Sequence, residues 1–248
     1  MNQIKTLQDF MINYVEYLDG DSGSGTNLFY PSYEIYPRDF LKFAEIELLQ
    51  INKKDSSETI HTINCISHLK RAMDCQLDTF FYVLRIKNNL RVDKKLDFLK
   101  SAGIFSSSSL SRLNSIRNKI EHEYTIPKLY ELEVYFDLVT AFVSILETAI
   151  IQLTNFSEVF LTSRNYHNLK EYNELNFNIK YFIKEKPKIV VEINYYKDDF
   201  KRTEELISTP TDYVEFAYFL KILFLSGKIY GIPNLNHIKE LLKFEQKL

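Results

Sequence analysis

The chain of 248 residues has no tryptophan, two cysteines, six glycines and six prolines. So few helix breakers favour long helices. Two cysteines are too few for a disulfide framework. Cys65 and Cys75 also lie in one stretch of helical pattern, where about 15 Å of helical rise would separate them, beyond the reach of a bridge. We therefore expect reduced thiols and a cytoplasmic protein.

The chain also lacks an excess of charge of either sign. It has 31 Lys plus Arg against 33 Asp plus Glu, a formal net charge of −2. A duplex-binding domain usually carries a basic excess, so any nucleic-acid contact must be a local patch. The N-terminus has no basic start followed by an apolar core. We find no apolar run near the ~18 residues that a membrane span needs, and we expect no signal peptide and no membrane contact.

Residues 1–37 are predicted to form an N-terminal helix and a flexible strap. The helix covers Leu7 to Leu18, and the stretch DGDSGSG at 19–25 is typical of a flexible loop. Residues 30–37, with two prolines, favour an extended conformation.

Residues 38–155 have the pattern of a helical bundle. A helix is predicted from Asp39. Residues 56–87 contain neither Gly nor Pro and keep a helical apolar stripe, which predicts a long helix. A shorter helix around Leu96 to Ala102, with Gly103 as its C-cap, precedes predicted helices at 109–124 and 128–154.

Residues 156–248 change in pattern. Alternating apolar residues from Phe177 to Ile183, followed by the Val/Ile/Tyr-rich run 188–196, predict a β-hairpin, with Glu158 to Thr162 as a further strand. Two helices are predicted at 212–226 and 234–247. This region is expected to be a small α+β accessory region.

Charged and polar residues concentrate in the segment S-I-R-N-K-I-E-H-E-Y, residues 115–124. On an ideal helix Asn118 and His122 share one face, and Arg117 and Glu121 share a neighbouring one. Arg117 and His122 are five residues apart, so a symmetric partner could supply the missing convergence. A structural interpretation stays open, in which Arg117 and Glu121 form a surface ion pair.

The octapeptide R-N-K-I-E-H-E-Y resembles the R-x-x-x-x-H motif of the HEPN superfamily, in its R-N-x-x-x-H-x-Y form. The preceding segment I-S-H-L-K-R-A-M-D-C-Q-L-D-T-F-F also looks like the long helix beside that motif in the family. The resemblance implies a mainly α fold, with a HEPN-like helical bundle at 38–155 and then the small α+β C-terminal region.

The resemblance also implies a function. Many relatives are metal-independent endoribonucleases of toxin-antitoxin and abortive-infection systems, acting as homodimers with a composite site and no cofactor. Arg117 and His122 match the catalytic pair, and Asn118 matches the polar residue after the Arg. Tyr124 matches the position modified, in a subset, by a partner nucleotidyltransferase; an antitoxin is the other implied partner. Candidate RNA-binding residues near the motif are Arg112, Lys119 and Lys128.

Two further interpretations stay beside this one. Glu121 and Glu123 would repel a phosphate backbone, and some relatives are inactive, so the chain could be a catalytically inactive HEPN-like module for dimerisation or for binding a nucleotide or protein. His61, Cys65 and His68 share one helical stripe, but three ligands from one straight helix rarely close a zinc shell. We therefore expect no metal.

Overall fold

The computed structural model describes residues 2–51, 57–86, 90–105, 115, 127–163, 169, 171–184, 186–229 and 235–243. The chain folds into two compact units that interleave along the sequence. The sheet unit comprises Met1–Leu28, Ser101–Gly103 and Ile151–Leu248. The helical unit comprises Phe29–Lys100 and Ile104–Ile150.

The helical unit contains α2 (Pro37–Ile51), α3 (Glu58–Val83), α4 (Val92–Ser101) and most of α5 (Leu129–Asn155). These confirm the predicted helices at those places in the sequence. From Cys65 onwards α3 keeps an apolar stripe in the core, because apolar residues recur at helical spacing without a breaker, whereas Ile60 and Ile63 in its first turns are exposed. The core of this unit includes Leu41, Ala44, Leu69, Met73, Phe80, Phe81, Leu96, Phe142 and Leu146.

Gly103 follows α4 with a φ of 67°, in the left-handed region. The N–H of Ile104 donates to the carbonyl of Leu99 at 3.0 Å, which closes the last turn of the helix. Glycine adopts this conformation without a Cβ penalty, and the predicted C-cap is confirmed.

The sheet unit begins with α1 (Asn2–Tyr14), a 3-10 turn and β1 (Leu18–Ser24). It continues with β2 (Glu158–Ser163), β3 (Glu174–Phe182), β4 (Lys188–Lys197) and β5 (Phe200–Ser208), and ends with α6 (Tyr213–Ser226) and α7 (Leu235–Leu242). The strands form one antiparallel sheet in the order β1-β2-β3-β4-β5. The predicted hairpin is β3–β4, and the further strand predicted at Glu158 to Thr162 is β2.

One face of the sheet is apolar and packs against α1 and α6. Alternate residues of β3, including Phe177 and Ile179, are fully buried, as period-two patterning requires. The ring of Phe10 on α1 stacks on Phe177 with centroids 5.5 Å apart. Tyr181 meets Phe216 of α6 edge-on at 5.8 Å. The other face of the sheet carries mainly polar and charged side chains.

The expected fold class is wrong. We expected a mainly α, HEPN-like bundle followed by a small α+β region, but the sheet has five strands and takes in the N-terminal segment. The stretch at 19–25, interpreted as a flexible loop, supplies most of β1. Its Gly and Ser residues carry no strand pattern, and β1 is held by pairing with β2, for example Asp19 with Thr162. β5 was not foreseen, since most of its side chains are exposed and do not alternate.

α5 is the one helix in the described part of the chain that is long and apolar enough to cross a membrane. The sequence analysis did not recognise this run. Core helices of soluble proteins meet the same criterion, and α5 buries Val139, Phe142 and Leu146. It also carries Glu147, whose carboxylate binds the guanidinium of Arg38 on α2. These features are consistent with a soluble protein.

Candidate functional site

The motif residues predicted from sequence, Arg117, Asn118, His122 and Tyr124, lie outside the described residues. So do Arg112 and Lys119 of the expected RNA-binding set. Ser115, two residues before Arg117, is helical and exposed.

Lys128, the third residue of that set, is exposed just before α5. Its backbone N–H donates to the carboxylate of Glu131 at 2.9 Å, and the Glu131 N–H donates to the Lys128 carbonyl at 2.9 Å. This reciprocal pair caps the start of α5. The Lys128 side chain is therefore a surface cation at the first turn of a helix.

A polar cluster joins α2 to the first half of α3. His61 Nδ1 lies 2.6 Å from Glu47 Oε2, and Asn64 Nδ2 donates to Glu47 Oε1 at 3.3 Å. Both side chains of this pair are largely covered, with exposed fractions of 24% for His61 and 20% for Glu47. The short contact with Glu47 holds the His61 ring in one orientation.

His68 lies two turns further along α3, among aromatic side chains. Its ring is 5.5 Å from the ring of Phe43, edge-on, and 6.4 Å from that of Phe40. Nδ1 of His68 is buried without a hydrogen-bond partner. The stripe of α3 that faces α2 therefore carries two imidazoles, of which only His61 is held by a carboxylate.

Cys65, on the same stripe, is fully buried. Burial, assisted by the negative charge of Glu47, raises the pKa of its thiol to about 12. A thiol that stays protonated is neither a nucleophile nor a metal ligand at neutral pH. Within the described residues, no group of three or more His, Cys, Asp or Glu side chains is arranged to hold a metal ion.

A second polar cluster lies at the other end of α3. Lys95 of α4 donates to Asp78 Oδ1 at 2.6 Å, and only 7% of the lysine side chain is exposed. Its ammonium is also 5.8 Å from the centre of the Phe81 ring. The nearly buried charge thus has a carboxylate and an aromatic face as partners, which fixes α4 on α3.

Neither the pairing of Glu47 with His61 nor that of Asp78 with Lys95 was predicted from the sequence. Glu47 and His61 are separated by 14 residues on two helices, and Asp78 and Lys95 by 17. The signal in the sequence was limited to polar residues on mainly apolar helix faces. The cluster of Glu47 and His61 supplies an imidazole held in one orientation. The cluster of Asp78 and Lys95 supplies a lysine whose ammonium is paired with a carboxylate.

The chain matches no protein-family model, no curated protein and no solved structure.

Proposed function

We propose that the protein is a metal-independent endoribonuclease with HEPN-type chemistry, acting in the bacterial cytoplasm in phage defence or toxin-antitoxin control. The observation that carries the proposal is the segment R-N-K-I-E-H-E-Y at 117–124. It supplies a permanent cation, an amide and an imidazole at the spacing of the family motif. The long helix α3, whose sequence resembles the helix that precedes the motif in the family, supports it.

In the proposed mechanism, the RNA 2′-hydroxyl attacks the adjacent phosphodiester. His122 acts as general acid and base, because an imidazole exchanges protons near neutral pH. Arg117 stabilises the charge that develops on the phosphorane, and Asn118 orients His122 or holds a phosphate oxygen. The nucleophile belongs to the substrate, so the reaction needs no metal. Arg112, Lys119 and Lys128 would contact the RNA backbone.

The proposal includes a homodimer whose two motifs form a composite site. Support comes from the surface beside Glu47 and His61, where the apolar side chains of Ile46, Leu49, Ile60 and Ile63 are between 48% and 61% exposed. A second copy would bury such a patch. A toxin of this kind would be held inactive by an antitoxin, or by a nucleotidyltransferase that modifies Tyr124. The free thiols of Cys65 and Cys75 support a reducing compartment.

Arg117→Ala and His122→Ala test the assignment. Each variant should lower cleavage of single-stranded RNA or tRNA in EDTA by about 100-fold or more, because each removes a group that acts in the transition state. Arg91→Ala and His237→Ala are matched controls. The Arg91 side chain is 83% exposed and His237 is exposed on α7, so both controls should cleave at the wild-type rate.

Sedimentation of the same variants separates an enzyme from an inactive module. An enzyme should keep its dimer and lose cleavage in the two motif variants. Wild-type cleavage by both motif variants would contradict the proposal. Loss of the dimer, with no cleavage by the wild-type protein, would instead favour a dimerisation module.

A further inference from the structure

The β3–β4 hairpin carries a local excess of positive charge on a chain whose overall charge is nearly balanced. Residues 180–188 read K-Y-F-I-K-E-K-P-K, with four lysines and one glutamate, a local charge of +3 in a chain of net charge −2. Lys184 and Lys186 are exposed and Lys188 is half-buried. These three lysines form no ion pair with the residues that the structure describes. Lys180 does form one, with Glu158 Oε2 at 3.0 Å.

An exposed aromatic ring lies among these cations. Phe182, at the end of β3, is 41% exposed. It is directly opposite Lys188 of β4 in the strand register, and Lys180 precedes it by two residues, so all three side chains share the polar face of the sheet. The ammonium groups of Lys180 and Lys188 are each 5.2 Å from the ring centre.

The other hairpin of the sheet provides an internal comparison. The β4–β5 turn also has an exposed aromatic residue, Phe200 at 64%, and cation–ring contacts such as Lys201 with Tyr196 at 5.5 Å. Its charges are balanced, however: the cations Lys197, Lys201 and Arg202 are accompanied by Asp198, Asp199 and Glu204. Of these two hairpins, only β3–β4 combines an exposed ring with a net positive charge.

We infer that Lys180, Phe182, Lys184, Lys186 and Lys188, together the hairpin platform, bind single-stranded RNA by stacking a base on Phe182 and by contacting phosphates through the lysines. Every base has a face that can stack on an aromatic ring, and ammonium groups neutralise the backbone. Since long lysine side chains are mobile, an incoming base can replace one of them over the ring, and the displaced ammonium can then reach a phosphate. The choice of RNA rests on the proposed function.

The rest of the polar face favours a strand over a membrane. Glu158 and Glu192 point to the same side of the sheet as Phe182, and Glu205 extends this side to β5. A flat anionic bilayer would face all of these carboxylates, whereas a single strand that crosses the end of the hairpin meets among them only Glu158, whose charge is already paired with Lys180.

Fluorescence anisotropy with a labelled 12-nucleotide single-stranded RNA tests the platform, using full-length protein that carries His122→Ala to prevent cleavage. In this background Phe182→Ala and Phe182→Leu should each weaken binding about 5- to 100-fold, because leucine keeps an apolar side chain but offers no ring. Phe182→Trp should restore binding and show that the fold is intact. Phe200→Ala is the matched aromatic control and should bind like its parent.

The salt dependence of binding tests the lysines. Lys184→Gln with Lys186→Gln should reduce the slope of log K against log salt by about 1.4, since each lost phosphate contact on a single strand is worth about 0.7. Lys197→Gln with Lys201→Gln removes the same charge from the other hairpin and should leave the slope unchanged. Equal effects of both pairs would overturn the inference.

The remaining outcomes separate the platform from the proposed function. Cleavage by the wild-type chain, with unchanged RNA binding in all platform variants, would overturn the platform and leave the function standing. RNA binding that depends on Phe182, in a chain that never cleaves RNA, would support the platform and overturn the proposed function. Phe182-dependent binding to phosphatidylserine vesicles, without RNA binding, would assign the platform to a membrane surface and overturn it as an RNA site.

Discussion

Glu158 is the carboxylate around which the polar face of the sheet is organised at its β2 end. Ser24 Oγ donates to it at 2.9 Å, Asn178 Nδ2 at 3.2 Å and Lys180 Nζ at 3.0 Å. Partial burial acts to raise the pKa of Glu158, but the hydrogen bonds from Lys180, Asn178 and Ser24 outweigh it and hold the pKa below its usual value. One carboxylate therefore connects three strands of the sheet through its charged form.

In acid, the sheet unit should lose the stabilisation that the charged form of Glu158 provides. A carboxyl whose pKa is lower in the folded than in the unfolded state stabilises the fold above the unfolded pKa, about 4.3, and ceases to do so as pH falls through the folded value. Glu158→Gln should cost about 0.5–1 kcal/mol in the free energy of unfolding at pH 7, and this difference should shrink towards zero below about pH 4. Urea unfolding at a series of pH values measures it.

Glu205→Gln is the control for this experiment, because Glu205 is an exposed carboxylate on β5. It should change the free energy of unfolding little at any pH. If the difference in the free energy of unfolding between Glu158→Gln and wild type stays constant from pH 7 to pH 3, the side chain acts through its shape and not through its charge.

Among the helices and strands, the sequence predicted those whose own apolar residues follow a helical or an alternating pattern. α3 and α5 have long apolar stripes, and β3 and β4 alternate, so neighbouring residues alone define them. β1 has no such pattern and forms because β2, some 140 residues later in the chain, offers it an edge. Such pairing is a long-range property that local propensity does not contain.

The outer edge of β5 is paired at Ile207 with a side chain instead of a strand. Gln3 of α1 accepts from the N–H of Ile207 at 2.9 Å and donates to its carbonyl at 3.1 Å, as a neighbouring strand would. An open strand edge is a template for pairing with another chain, so Gln3 protects this edge from association.

Gln3→Ala should expose that edge. We expect a loss of about 1–3 kcal/mol in the free energy of unfolding, from the two hydrogen bonds to Ile207 and a third that Gln3 Nε2 donates to Glu215 Oε1 at 3.3 Å, together with association beyond the wild-type state as concentration rises. Sedimentation velocity across a concentration series measures the association. Gln8→Ala, on the same helix, should behave as wild type. An unchanged sedimentation profile for Gln3→Ala would mean that other features protect the edge.

At the scale of the whole molecule, the two units interleave along the chain, and the sheet unit takes segments from both of its ends. Patterning along the chain gives no sign of this, because α1 and β1 precede the helical unit and join strands that follow it. The candidate catalytic site stays a prediction from the sequence, where its residues are close together. Its residues lie within eight positions, whereas the Glu47–His61 pair depends on the packing of two helices.

The proposed reaction is cleavage of RNA by its own 2′-hydroxyl, with His122 and Arg117 as the acting groups. The most direct measurement uses an RNA oligonucleotide with a single 2′-deoxynucleotide on the 5′ side of the cleaved phosphate, in EDTA, with mass spectrometry of the products. We expect 2′,3′-cyclic phosphate ends from the all-RNA strand and no cleavage at the deoxy position. Cleavage at the deoxy position, or products ending in a free 3′-hydroxyl, would contradict the proposed reaction.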